Sequence, residues 1–350
     1  MEFGFDSALR IGDSVLQAGG MERMKSTQKK AQSKDAPKEL SLLGLARALF
    51  AGATQVYPQR GLQRAKDRAK FCLRGLAMPH LTRQWFQILA QPSLAAVVRN
   101  SPRVLSKLQR PYLHRKLKPQ ERLNVLREHY HFVQETFSPE AMEQIYSERG
   151  ALLAKFPIEG IGELSLRLGY WSPFEKEGEL SLALVNETAG GLLFTLSFSA
   201  TAFSPTGTDV FIGGLQTMRK TTNRELIVDI TRGMAGLRPK ALLLFALQQL
   251  AVAWHFKNIR AVSNDLLVFR DFRLKKKLVA ADYDEFWLES DGRLEPDGFF
   301  TLPLVFVPRP IAEIKPNKRS LYKKRYLMLD ELGTQIAAHA GHMVLVPASV

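Results

Sequence analysis

Gly236-Leu-Arg-Pro-Lys-Ala-Leu-Leu-Leu-Phe-Ala-Leu-Gln-Gln-Leu-Ala-Val-Ala-Trp254, followed shortly by Ile259-Arg-Ala-Val-Ser-Asn264, is the stretch from which the fold is read. Pro239 suits the first turn of a helix, and the residues after it are apolar almost all round, which predicts a buried central helix. Val210-Phe-Ile-Gly-Gly-Leu-Gln216 upstream and Ile259–Asn264 downstream read as strands. Strand, buried helix and strand together predict a parallel crossover at the centre of a sheet. Asn264 then falls at the carboxyl end of its strand, where open α/β sheets bind ligands; an Asn that simply closes a turn is the alternative. The helix start carries Arg238 and Lys240 beside free backbone N–H groups, an arrangement suited to phosphate.

Upstream, the apolar period is two. Leu164, Leu166 and Leu168, then Leu180, Leu182 and Leu184, then Leu192–Ala202, then Asp209–Gln216 form an expected antiparallel meander. Leu192, Phe194, Leu196 and Phe198 alternate with Thr195, Ser197 and Ser199, so that run reads as a half-buried strand and not as a membrane helix. The linkers Trp171–Gly178, Asn186–Gly191 and Ser204–Thr208 read as turns. Gly213 and Gly214, adjacent inside a strand, mark either a bulge or the close approach of a ligand. Asn223–Met234 reads as a short helix closed by Gly236.

Downstream, Phe269–Lys277 reads as a basic helical stretch, and Glu285–Glu289 with Gly298–Leu302 as the arms of a late hairpin. A polar helix follows from Asn317 to about Leu332, with six cations and no acid among residues 315–325. From Leu40 to Arg149 prolines punctuate helical spacing, for example Leu123, Leu126, Tyr130 and Val133 behind Pro119. Met21–Lys38 is nearly empty of large apolar residues and reads as a weakly ordered lead-in. The expected organisation is therefore α+β: a lead-in over 1–40, a basic helical region over 41–155, an α/β domain over 156–333 and a tail over 334–350.

The chain's 350 residues carry a net charge of +15. Residues 40–134 hold 17 Lys and Arg against Asp67, Glu121 and Glu128, a density that points to a phosphate-bearing partner or, as the plainer alternative, to a merely basic surface. Cys72 is the only cysteine, which excludes an intramolecular disulfide and a cysteine-based zinc site and fits a reducing compartment. His129 and His131 lie two apart, on different sides of a helix, so no metal is expected. The first residues are acidic where a secretory signal needs cations, so a cytoplasmic location is expected, with peripheral association at the inner membrane as an option.

Taken together, Arg110-Pro-Tyr-Leu113, Lys176-Glu-Gly-Glu-Leu180, Ile212–Gln216, Gly236–Lys240, Ala261-Val-Ser-Asn264, Asp282-Tyr-Asp-Glu-Phe-Trp287 and Lys318–Tyr326 resemble the VirK/YbjX family of bacterial proteins. The resemblance spans roughly residues 45–332. It implies a domain of unknown function associated with virulence and envelope phenotypes. The order of elements is also similar to the GNAT acyltransferases, which implies a GNAT-like mixed, mainly antiparallel sheet flanked by helices, behind a helical N-terminal region. By that resemblance Ile212, Gly213, Gly214 and Leu215 would line a pantetheine arm, Gly236, Leu237, Arg238 and Lys240 would face a pyrophosphate, and Asn264 would sit near the thioester. Here, however, Gln216 is separated from Gly236 by an extra segment. Glu179 and Tyr283 are the candidate general base and acid.

Two function classes follow. One is an acyltransferase with an acyl-CoA or acyl-carrier-protein phosphopantetheine donor, the acidic carrier drawn to the basic region. The other is a non-catalytic module that binds an anionic membrane surface or, with no nucleic-acid motif in its support, nucleic acid.

Overall fold

A computed structural model describes residues 41–204, 207–218, 220–270 and 282–345. The expected lead-in, most of the basic stretch at Phe269–Lys277 and the last five residues lie outside them. Helices α1 (Leu42–Val56), α2 (Leu62–Ala77), α3 (Pro79–Leu89), α4 (Ala95–Asn100), α5 (Pro119–Thr136) and α6 (Pro139–Ile145) precede the sheet, with a 3₁₀ turn at Pro102–Gln109. Prolines occupy the first turn of α3, α5 and α6, where the missing N–H leaves no helix bond unmade.

Among the described residues the sheet has eight strands in the order β1-β2-β3-β4-β5-β6-β8-β7. They are β1 (Ala151–Ile158), β2 (Gly162–Gly169), β3 (Leu180–Asn186), β4 (Leu192–Ser204), β5 (Gly207–Thr217), β6 (Ile259–Ala261), β7 (Arg293–Leu294) and β8 (Phe300–Leu302). β2 to β5 are the expected meander. β1, hidden from the period-two reading by Pro157 and Lys155, adds a further antiparallel strand. β5 and β6 are parallel, joined through α7 (Arg224–Gly233) and the buried α8 (Pro239–Ala253). The chain is α+β with a mixed, mainly antiparallel sheet.

Besides β1, two elements differ from expectation. Glu285–Glu289 is not a hairpin arm but part of α9 (Tyr283–Glu289). Asp282 caps this helix by accepting from the Glu285 N–H, and Tyr283, Phe286 and Trp287 are buried on one helical side. The hairpin is made by β7 and β8 instead. The last helix, α10, runs over Arg319–Met343 and so continues through much of the expected tail, with Ile336, Ala340 and Met343 buried.

α5 lies against β4, α8 against β3 and β4, and α10 against α8 and β1. Apolar residues from Leu45 to Met343 join one buried cluster, so the helical region and the sheet bury their apolar faces in common. The hydroxyl residues of β4 are as buried as its apolar ones: Thr195, Ser197, Ser199 and Thr201 have no more exposure than Leu196 and Phe198. On that polar side Ser197 and Ser199 find partners, while the Thr195 and Thr201 hydroxyls have none among the described residues. Ser181 bonds Ser197 at 2.7 Å and Tyr112 bonds Ser199 at 2.6 Å.

Candidate functional site

The segment entering β3 carries Glu175, Glu177 and Glu179, all buried. Arg103 grips Glu175 with two nitrogens, Nε to Oε2 at 3.0 Å and Nη2 to Oε1 at 2.6 Å, and Arg110 adds Nη1 at 2.8 Å. Burial works to raise the Glu175 pKa, but the Arg103 bond and the charges of Lys107, Arg103 and Arg110 prevail and leave it lowered. Lys107 Nζ lies 2.8 Å from Glu179 Oε1, donates to the Gly178 carbonyl at 3.1 Å and to that of Glu175, and sits 5.0 and 5.1 Å from the Tyr112 and Tyr170 ring centres. Tyr130 donates to Glu179 Oε2 at 2.6 Å. These contacts pin the segment from four positions, 103, 107, 110 and 130.

Glu177 has no such cation. Gln216 Nε2 donates to its Oε1, while Oε2 has no hydrogen-bond partner among the described residues. Burial pushes its pKa up to about 8, against the Gln216 bond. The backbone of Glu177 sits over Gly213 and its carboxyl group over Gly214, where β5 shifts register against β4. A Cβ on Gly213 would lie 2.0 Å from the Glu177 carbonyl oxygen, and one on Gly214 would lie 2.3 Å from its carboxyl carbon. The bulge is present, and the close approach at both glycines is made by Glu177 of the chain itself and not by a ligand.

Beyond Ile212 and Ala261, where their pairing ends, β5 and β6 part. Tyr283 enters there, its hydroxyl accepting from the Leu215 N–H at 3.0 Å, and Trp287 donates to the Val262 carbonyl at 2.9 Å. Asn264 clamps the start of α9: its Oδ1 accepts from the Tyr283 N–H at 2.9 Å and its Nδ2 donates to Asp282 at 2.7 Å. Of the three candidate catalytic residues, Asn264 and Tyr283 meet through the Tyr283 N–H, and Glu179 lies elsewhere. Glu179 lies with Lys107 and Tyr130, Tyr283 is buried against β5, and Asn264 holds a helix end.

Of the residues expected at a cofactor, Ile212 and Leu215 are fully buried in β5, and Leu237 is buried as well. Gly236 has φ 77° and donates to the Thr231 carbonyl at 2.8 Å, closing α7 as expected. Arg238 pairs with Glu289, while burial and the Arg238 charge lower the Lys240 pKa. Arg325 of α10 reaches the Ala235 carbonyl at 3.0 Å. Cations do gather at the start of α8.

The stretches that carry the family resemblance connect in space. Leu113 N–H donates to the Lys176 carbonyl at 2.7 Å, Glu177 meets Gln216, Tyr283 meets Leu215, Asn264 meets Asp282, and Arg325 meets the turn before Gly236. Sequence reasoning missed Lys107, Glu175 and Glu177 as members of this network. The available signal was spacing: Arg103, Lys107 and Arg110 at i, i+4, i+7, and three glutamates each two apart.

The positive charge is distributed differently from its linear density. Arg99, Arg103, Lys107, Arg110 and Arg115 pair with Glu143, Glu175, Glu179, Glu175 and Asp265, all outside residues 40–134. Part of what remains displayed lies around the start of α10, where Lys315, Lys318, Lys323 and Lys324 are exposed and form no ion pair among the described residues, and part on α1 and α2, which pack through Leu49 on Gly75 and Gly52 beside Phe71. Arg47, Lys66, Lys70 and Arg74 are exposed and form no ion pair among the described residues. Between them Phe50, Leu62, Leu73 and Leu76 are 70%, 85%, 66% and 43% exposed. No described helix is long and apolar enough to cross a membrane. Among the described residues, no three His, Cys, Asp or Glu side chains gather to hold a metal ion.

Residues 60–338 match a family described as "Protein of unknown function (DUF535)". The chain is 33% identical over 301 residues to the uncharacterized protein YbjX of Escherichia coli K12, covering 85% of this chain and 90% of that one. An uncharacterized Haemophilus influenzae protein is 27% identical over 216 residues, covering 62% and 70%. No solved structure matches.

Proposed function

The protein belongs to the DUF535 family of unknown function, which includes YbjX, and we propose that it docks peripherally on an anionic membrane surface through the α1–α2 hairpin. The supporting observation is the composition of that exposed face: large apolar side chains at 43–85% exposure, interleaved with Arg47, Lys66, Lys70 and Arg74. A water-facing helix ordinarily hides such apolar groups, whereas a bilayer interface accepts them and anionic headgroups attract the cations between them. Each Lys or Arg near such a surface contributes about 1 kcal/mol, so these four contribute about 4 kcal/mol at low salt. A membrane-facing role accords with the envelope association that the resemblance implies.

The test is co-sedimentation with vesicles containing phosphatidylglycerol, compared with pure phosphatidylcholine and with duplex DNA. Binding to the anionic vesicles is expected, weakening towards about 0.5 M salt. The Lys66→Glu/Lys70→Glu/Arg74→Glu variant should lose it with its melting temperature unchanged. Equal binding to both vesicles, or preference for DNA, overturns the reading.

Acyl transfer from an acyl-CoA or acyl-carrier-protein donor is a second reading, favoured by the gathering of Arg238, Lys240 and Arg325 at the start of α8. It requires both α9 and the segment entering β3 to move, because Tyr283 and Glu177 lie against β5 where the resembled layout would hold pantetheine. Thermal stabilisation by coenzyme A, lost in Arg238→Ala/Lys240→Ala, would support it; no shift removes it.

A further inference from the structure

A second feature lies apart from both the hairpin and the α8 start. A cleft of about 650 Å³ is bounded by the end of α4, the end of α6 and the connection after β2. That volume is in the range of small-molecule pockets. Trp171 forms one wall. Its Nε1 donates to the Glu148 carbonyl at 2.9 Å, and the indole occupies the space left by Gly150 and Gly169, where an added Cβ would come within 2.9 and 2.8 Å of the ring. The ring is therefore held in place before any ligand arrives, and it stays partly exposed. Tyr170 also lines the cleft, is 94% buried, and has a hydroxyl without a hydrogen-bond partner among the described residues.

The remaining lining narrows the ligand. Glu148 adds an exposed carboxylate to the lining, Glu143 is paired with Arg99, and Arg103 is already engaged by Glu175, so the lining offers an anion no unpaired cation. Asn100 and Ser172 bring further hydrogen-bonding groups, so the lining suits an acyl chain poorly. A single fixed aromatic face beside carboxylate, amide and hydroxyl groups matches a ring with apolar C–H faces and hydroxyl edges. We propose that this cleft binds a neutral carbohydrate, with a pyranose ring stacked on Trp171 and hydroxyls donated to Glu148.

The test uses intrinsic fluorescence. Trp85, Trp254 and Trp287 are buried, so a ligand in the cleft reports through Trp171. Maltotriose, cellotriose and tri-N-acetylchitotriose are titrated at millimolar concentrations, with choline chloride as the cationic comparison. At least one sugar is expected to give a saturable change. By calorimetry, the affinity for that sugar should fall at least tenfold in Trp171→Ala and several-fold in Glu148→Gln, and it should be partly retained in Trp171→Phe. Because Trp171→Ala could disturb the fold, Asn100→Ala provides an independent variant at the cleft edge, expected to weaken binding with an unchanged melting temperature. Absence of any sugar response, a response to choline alone, or sugar affinity unchanged in a folded Trp171→Ala protein overturns the proposal.

Discussion

Glu177→Gln should make the protein more stable at neutral pH. The carboxyl group is buried over Gly214 with one polar neighbour, Gln216, and its pKa lies at about 8 against an ordinary 4.5. In the folded chain it therefore keeps its proton at pH values where the unfolded chain has released it. Folded stability consequently falls as pH rises between about 4.5 and 8, and the penalty is complete above pH 8. At 1.36 kcal/mol per pH unit, the penalty is about 3 kcal/mol at pH 7 and approaches about 5 kcal/mol above pH 8. Glutamine has the same shape and no proton to lose, and its amide can still accept from Gln216. The assay is urea denaturation followed by circular dichroism at pH 5, 6, 7 and 8 for both proteins. The two should be close at pH 5 and diverge steadily towards pH 8, the variant being the more stable. A difference that stays constant across that range would refute a neutral, buried Glu177.

Lys107→Met should cost about 3–5 kcal/mol, because Glu179 is left buried without its cation; adding Glu179→Met should recover a large part, which a double-mutant cycle in urea measures. On the acid side, burial lowers His129 to about 3 and His114 to about 4, so both stay neutral in the fold after the unfolded chain has gained its protons. Their contribution is full above pH 6.5 and declines as pH falls, by about 2 kcal/mol each at pH 5. Replacing His129 by Gln should flatten the acid limb of the stability profile; a profile unchanged in shape would show that His129 is charged in the fold.

Much of the sheet was legible locally. Period-two alternation marked β2 to β5, and Pro239 with the apolar run behind it marked the crossover helix, because burial and backbone geometry leave a mark every few residues. α9 was misread for a reason that is also local: Glu285-Phe-Trp-Leu-Glu289 is too short to separate the two periods, and the Asp282 cap decides between them. Candidate site residues fared differently. The paired glycines announced that something approaches β5 closely, but nothing in the strand says that it is Glu177.

By itself the sequence determined most element types, β1 and α9 excepted, the parallel crossover and the total charge, since each depends on composition or on residues close along the chain. Tertiary structure alone decided where that charge is spent. Arg103, Lys107 and Arg110 look like surface cations until the segment 65 to 72 residues later folds its glutamates beneath them. Ion pairing acts through space at about 3 Å and is indifferent to separation along the chain. Only the folded arrangement distinguishes the cations that hold the core from those on α1 and α2 that remain available to a partner.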